Sequence, residues 1–214
     1  MKSILYLFIF IYTTATLAQN TEVHLFDIKI TDGELTLVNH KNVSNNEGYD
    51  NQPSFYNDNL LTYVSSRNNQ TDIATFNIRD NKVSYINSTP NGGEYSPVKI
   101  PNSKDISAVR LDNDGKQRLY RYNIKTGEST ELIKDLVVAY YMWFDESTVI
   151  SAVIENNGLN LFVTDINTQK SRKYATNVGR SFHKIPNSKL VSFVSKEDDK
   201  WLIKSLNPLT GETK

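Results

Sequence analysis

Three observations predict an all-β fold assembled from repeated four-stranded antiparallel blades. Beyond the first twenty residues no window keeps apolar residues at three-to-four spacing for three turns, so no amphipathic helix is indicated. Short alternating apolar and polar segments are bounded instead by clusters of Asn, Asp, Gly and Pro, the pattern of strands and tight turns. The chain also repeats itself: DIATFNIRDNKVSYI (72–86), RLYRYNIKTGESTEL (118–132) and NLFVTDINTQKSRKY (160–174) follow one another at spacings of 46 and 42 residues.

The segments stack in order. A strand rich in Pro or aromatic residues comes first: QPSFYNDN (52–59), SPVKIPNS (96–103), YMWFDEST (141–148) and FHKIPNS (182–188). An apolar strand with small residues follows: LLTYVSS (60–66), DISAVRL (105–111), VISAVIE (149–155) and LVSFVSK (190–196). Each ends in a polar turn, RNNQ, DNDGK, NNG or EDDK, whose residues tolerate the left-handed backbone of a hairpin. The third strands place Leu119, Leu161 and Ile203 at 42-residue intervals, with Asn123, Asp165 and Asn207 at the same interval. Those Asx residues are expected to cap the next turn, where Gly127 and Gly211 supply a positive φ. Fourth strands are KVSYINS, ESTELIK and SRKYATN. A meander of this kind exposes two faces and buries them only by stacking on neighbours, as the blades of a β-propeller do.

Ahead of the repeats, MKSILYLFIFIYTTATLAQN places Lys2 before an apolar run and ends in Thr16-Leu17-Ala18, the layout of a signal peptide over residues 1–18. The apolar run is shorter than the ~20 residues of a spanning helix, so no membrane span is expected after cleavage. The 24 basic and 24 acidic residues balance, which gives no field for nucleic acid. The 214 residues contain no cysteine, excluding a disulfide scaffold and a lipid-anchored cysteine.

Ser65, Ser66 and Arg67, Leu119-Tyr120 and Asn123 to Gly127 resemble the repeats of TolB-like, WD-repeat-like β-propellers of bacterial envelopes. The family's Ser-Pro-Asp-Gly turn survives only as Tyr56-Asn57-Asp58-Asn59, Pro101-Asn102-Ser103 and Pro186-Asn187-Ser188. The resemblance covers residues 50–214 and implies a ring of six blades, of which about four and a half are expected here. They divide as a half blade at 22–43, blades at 49–92, 93–136 and 137–178, and an incomplete unit at 179–214, within a propeller domain over 19–214. One to two blades of a longer ring are thus expected to be missing. A periplasmic or secreted, non-catalytic module binding an envelope protein or glycan, monomeric when complete, follows as an expectation. The alternative is the propeller domain of a polysaccharide lyase, glycoside hydrolase or prolyl-peptidase-like enzyme.

Chemistry-bearing motifs are sparse. His24, His40 and His183 occupy unrelated phases without metal-ligand spacing, and no metal or other cofactor is expected. Asp112-Asn113-Asp114-Gly115 begins like a calcium loop, but its twelfth position is Asn123, so it reads as a hairpin turn. No nucleophile elbow or phosphate loop occurs. The candidate binding residues lie where propellers bind, on the loops entering each inner strand around the channel mouth: Tyr49, Asp50, Asn51, Glu94, Tyr95, Tyr140, Tyr141 and Arg180. Aromatics and Arg are enriched at interfaces, although the same tyrosines also suit the sealing of blade seams.

Overall fold

A computed structural model describes residues 20–90 and 92–214. The signal-peptide reading of 1–18 lies outside them. The described residues form seventeen strands and one 3-10 turn, with no α-helix.

A hairpin comes first, β1 (His24–Thr31) and β2 (Glu34–Asn42). Four meanders follow, each antiparallel in chain order. The first blade holds β3 (Asp50–Asn57), β4 (Leu60–Arg67), β5 (Gln70–Asn77) and β6 (Lys82–Tyr85). The second holds β7 (Gly93–Lys99), β8 (Ile106–Leu111), β9 (Gln117–Tyr122) and β10 (Ser129–Glu131). In the third are β11 (Val138–Trp143), β12 (Thr148–Glu155), β13 (Gly158–Asp165) and β14 (Lys170–Ala175). The fourth comprises β15 (Val178–Lys184), β16 (Val191–Ser195) and β17 (Leu202–Leu206), against which Thr213 forms a bridge.

Turn chemistry produces this regularity. Asn68-Asn69 and Asn156-Asn157 all have positive φ, as two-residue hairpins require. The Asx residues cap as expected: Asn123, Asp165 and Asn207 each accept backbone N–H bonds from the two turn residues that follow. Gly127 and Gly211 take the left-handed conformation and donate back to the carbonyls of Asn123 and Asn207.

The core is a series of seams between blades. Ile73 of the first blade meets Ala108 and Tyr122 of the second. Val109 and Leu119 meet Val138, Trp143 and Val149 of the third. Ile150, Ala152 and Leu161 then meet Val178, Phe182 and Phe193 of the fourth. The two ISAV runs consequently point in opposite directions. In β8, Val109 faces the following blade and Ala108 the preceding one, whereas in β12 Ala152 faces forward. A one-residue difference in phase flips every side chain of a strand, which the stacking of identical letters conceals.

Candidate ligand-binding face

In an antiparallel meander the entry to the first strand and the turn between the second and third lie at the same end. Four loops of each kind therefore gather on one face of the stack. All four inner strands carry a β-bulge just after their entry, between Asn51 and Ser54, Tyr95 and Val98, Val138 and Tyr140, and Val178 and Phe182. Bulges bend a strand and re-aim its side chains. In the first two blades the bulge puts Gln52 and Ser96 at positive φ, and the Ser96 N–H donates to Gln52 Oε1 at 2.7 Å, tying the blades together.

The candidate residues divide into three groups. Tyr49, Tyr95 and Tyr140 stand at the inner-strand entries of three successive blades: burial raises the Tyr49 phenol above its ordinary range, and the influence of the Tyr95 and Tyr140 phenols adds to that. Arg180 is exposed and its guanidinium lies 5.4 Å from the Tyr140 ring centroid. Asn51 is half-buried and accepts the Gln52 N–H. Tyr141 serves the seam instead, its single hydroxyl proton shared between the carbonyls of Ser96 and Ser107, 2.9 and 2.8 Å away.

Asp50, the first residue of β3, and Glu94, the second of β7, stand in the same phase ahead of the bulge and are almost fully buried. The third and fourth blades put Val138 and Val178 at this place. Glu94 Oε1 accepts bonds from the Thr89 and Tyr122 hydroxyls at 2.6 and 2.8 Å, while Oε2 has no partner. Asp50 Oδ2 is likewise unpartnered. Burial is the main influence on both groups and holds each above the usual carboxylate range. From Glu94 the polar chain continues through Thr89 and Asn87 to the buried Asp72, which Arg67 Nε pairs at 2.7 Å.

A cleft of about 920 Å³ opens beside this network, between the β4–β5 and β8–β9 hairpins. Tyr95 lines it with Arg67, Asn68, Asn69, Thr71 and Asn113. A smaller hollow of about 480 Å³ between the third and fourth blades takes in Tyr140, Arg180, Asn157 and Lys196. Of these cleft residues, Asn68, Asn69 and Asn113 read in sequence only as hairpin turns. The available signal was strand parity, which puts those turns on the same face as the inner-strand entries.

The Asp112–Gly115 segment is a hairpin, and its acids are engaged: Asp112 by Arg110 and Arg118 at 2.6 and 2.7 Å, Asp114 by Arg118 at 2.7 Å. Among the described residues no group of three or more His, Cys, Asp or Glu could hold a metal ion. His24 and His40, unrelated by spacing, do meet across the β1–β2 hairpin, His40 Nε2 lying 2.8 Å from His24 Nδ1. A bulge between Leu25 and Asp27 brings them together.

No family model and no curated protein sequence matches the chain. Solved structures do. TolB from Acinetobacter baumannii matches over 91% of this chain and 48% of its own, at 17% identity and TM-score 0.68. A puromycin-hydrolyzing peptidase of Mycobacterium tuberculosis matches over 82% and 29%, at 12% identity and TM-score 0.66. A chain of a nidogen/laminin complex matches over 92% and 75%, at 12% identity and TM-score 0.68. This chain thus spans about half the length of the TolB it resembles. With blades, seams and neighbours in agreement, the chain has the fold of a TolB-like β-propeller.

Proposed function

We propose that the protein is an exported, non-catalytic binding module of the bacterial envelope, acting in the periplasm or outside the cell, whose loop face engages a protein or glycan. The observation that carries this reading is the exposed Arg180 stacked 5.4 Å from the Tyr140 ring at an inner-strand entry, with Tyr49 and Tyr95 at the entries of the two preceding blades. Large amphipathic rings and a guanidinium supply contact area at low conformational cost. Of the acids near the mouth, Glu47 alone is exposed and unpaired among the described residues, so no second free carboxylate stands beside it in the cleft. Asp72 and Asp112 are paired with arginines, and Asp50 and Glu94 are buried below the surface.

The second reading, a propeller domain of a peptidase- or lyase-type enzyme, draws on the likeness to the puromycin-hydrolyzing peptidase. Retention of partners from envelope extract separates the two. The protein is expected to retain a specific protein or glycan that Tyr140→Ala and Arg180→Glu release, while Arg79→Glu, on the opposite end of the blades, keeps it. Equal retention by all three variants, or none by the wild type at any salt, would sink the binding reading.

A further inference from the structure

The bulge in the β1–β2 hairpin brings two imidazoles into contact at the protein surface. Between Leu25 and Asp27 the ladder slips, so that Phe26 stands opposite both Asn39 and His40. Asn39 accommodates the extra residue by taking the left-handed conformation, at φ +53°. His40 Nε2 then lies 2.8 Å from His24 Nδ1, and the Phe26 ring stacks on the His40 imidazole with 4.7 Å between centroids. The contact contributes nothing to the core, which this hairpin reaches through Leu25 and the flanking Val23 and Val43. Both imidazoles are exposed, so a solute can approach the two facing nitrogens directly.

Spacing decides what such a pair can hold. With metal–nitrogen bonds of about 2.0–2.1 Å, two nitrogens 2.8 Å apart subtend close to a right angle at a shared ion. That is the cis angle of square-planar and octahedral coordination, whereas a tetrahedral ion of the same bond length needs nitrogens about 3.3–3.4 Å apart. Cu(II) and Ni(II) are therefore favoured over Zn(II), and Cu(II) is held most strongly of the first-row divalent ions by a given donor set. In the metal-free pair one of the facing nitrogens carries the proton of the hydrogen bond. On binding, that ring exchanges its proton through solvent to its outer nitrogen, so both imidazoles ligate as neutral donors. The surrounding charge suits a cation. Asp27 lies in the same bulge, its Oδ2 accepting the Asn39 side-chain amide at 2.7 Å, while the Lys41 ammonium is drawn away to Asn81 Oδ1 on the first blade at 3.1 Å. Among the described residues no third His, Cys, Asp or Glu joins the pair as a ligand, so water fills the remaining positions. We propose that His24 and His40 form a two-histidine binding site for a late first-row divalent cation, Cu(II) foremost.

Calorimetric titration with Cu(II), Ni(II) and Zn(II), together with electron paramagnetic resonance of the Cu(II) complex, tests the site. The wild type is expected to bind one Cu(II) at the pair, with two imidazole nitrogens in its spectrum. His24→Ala and His40→Ala each remove one of two chelating donors and are each expected to weaken Cu(II) at least about ten-fold, leaving one imidazole nitrogen at most. His183→Ala, which removes an exposed histidine on β15, is expected to leave both the affinity and the two-nitrogen spectrum unchanged. All three substitutions fall on exposed side chains, so the metal-free melting midpoints are expected to match that of the wild type. Cu(II) held undiminished by either hairpin variant would overturn the proposal, as would a single imidazole nitrogen in the wild-type spectrum. So would the absence of binding at about 1 mM Cu(II), a concentration above any useful affinity.

Discussion

At the scale of single residues, position in the stack decides what a glycine or a carboxyl is for. Gly115 and Gly127 both occupy the left-handed region, at φ +77° and +73°. A Cβ on Gly115 would meet open space, whereas one on Gly127 would collide with the backbone carbonyl of Ile86 in the preceding blade. Gly115→Ala is therefore expected to cost about 1 kcal/mol, the conformational term alone. Gly127→Ala adds a clash with rigid backbone and should cost at least about 2–3 kcal/mol, measured by denaturant unfolding of both variants side by side. Glu94 makes a pH-dependent prediction. Its pKa is raised in the folded protein, chiefly by burial, so folding favours the protonated form. The stability it contributes is present below the free carboxyl pKa of about 4.3 and is lost as pH rises through the folded value. Glu94→Gln keeps an acceptor for Thr89 and Tyr122 and carries no charge, so its melting midpoint should exceed that of the wild type at pH 7 and the advantage should vanish near pH 4. A wild-type midpoint higher than the variant's at pH 7 would show that the ionised form is favoured.

Among the elements, the two ISAV strands show how identical letters acquire different work. Ser107 in β8 faces the following blade, where its hydroxyl accepts the Trp143 indole N–H at 2.9 Å, meets the Tyr141 hydroxyl at 2.9 Å and donates to the Val98 carbonyl at 3.1 Å. Ser151 in β12 is equally buried, yet its hydroxyl has no partner. Ser107→Ala strands the Trp143 N–H and should cost about 1–3 kcal/mol, while Ser151→Ala should lie within about 0.5 kcal/mol of the wild type or exceed it. Thermal melts of the two variants check the contrast. Existence and order of the strands were legible in sequence because Asn, Asp and Gly mark turns through backbone geometry that any strand context preserves. Which way a strand faces was not, because it depends on bulges and turn lengths: DNDGK in the second blade is longer than NNG in the third. The His24–His40 contact stayed hidden for the same reason, since a bulge in β1 sets the register that creates it. The inner-strand entry tyrosines were legible as loop residues because Gly, Asn and Asp mark those loops, but not their exact phase, since Tyr49 precedes Asp50 whereas Tyr95 follows Glu94. Thr71, Asn68, Asn69 and Asn113 were not legible as cleft residues, because their cleft forms only where two hairpins some 45 residues apart stand side by side.

Across the whole molecule, stability is a sum over seams, so equivalent residues differ in worth according to what stands next to them. Leu119, Leu161 and Ile203 share one phase of the repeat. Leu119 and Leu161 are fully buried, the first against the third blade and the second against the fourth. Ile203 is 82% exposed on the forward face of the fourth blade, alongside Trp201 and Leu209. The β1–β2 hairpin mirrors this at the other end of the stack: Val23 and Val43, which flank it, pack against the first blade, while its cross-strand pairs Ile28–Leu37 and Ile30–Leu35 stand in solvent. Truncation to Ala at the three equivalent positions therefore measures the seams. Leu119→Ala and Leu161→Ala each remove a filled core position and should cost about 2–5 kcal/mol, with the spread set by how far each seam collapses into the void. Ile203→Ala should change unfolding free energy by no more than about 0.5 kcal/mol, because none of the described residues is packed over it. If Ile203→Ala instead costs as much as Leu161→Ala at low protein concentration, the forward face of the fourth blade is covered in solution and the stack does not end there. A cost that appears only as concentration rises would identify that cover as a second copy of the chain, because association stabilises by mass action and a seam within one chain does not depend on concentration.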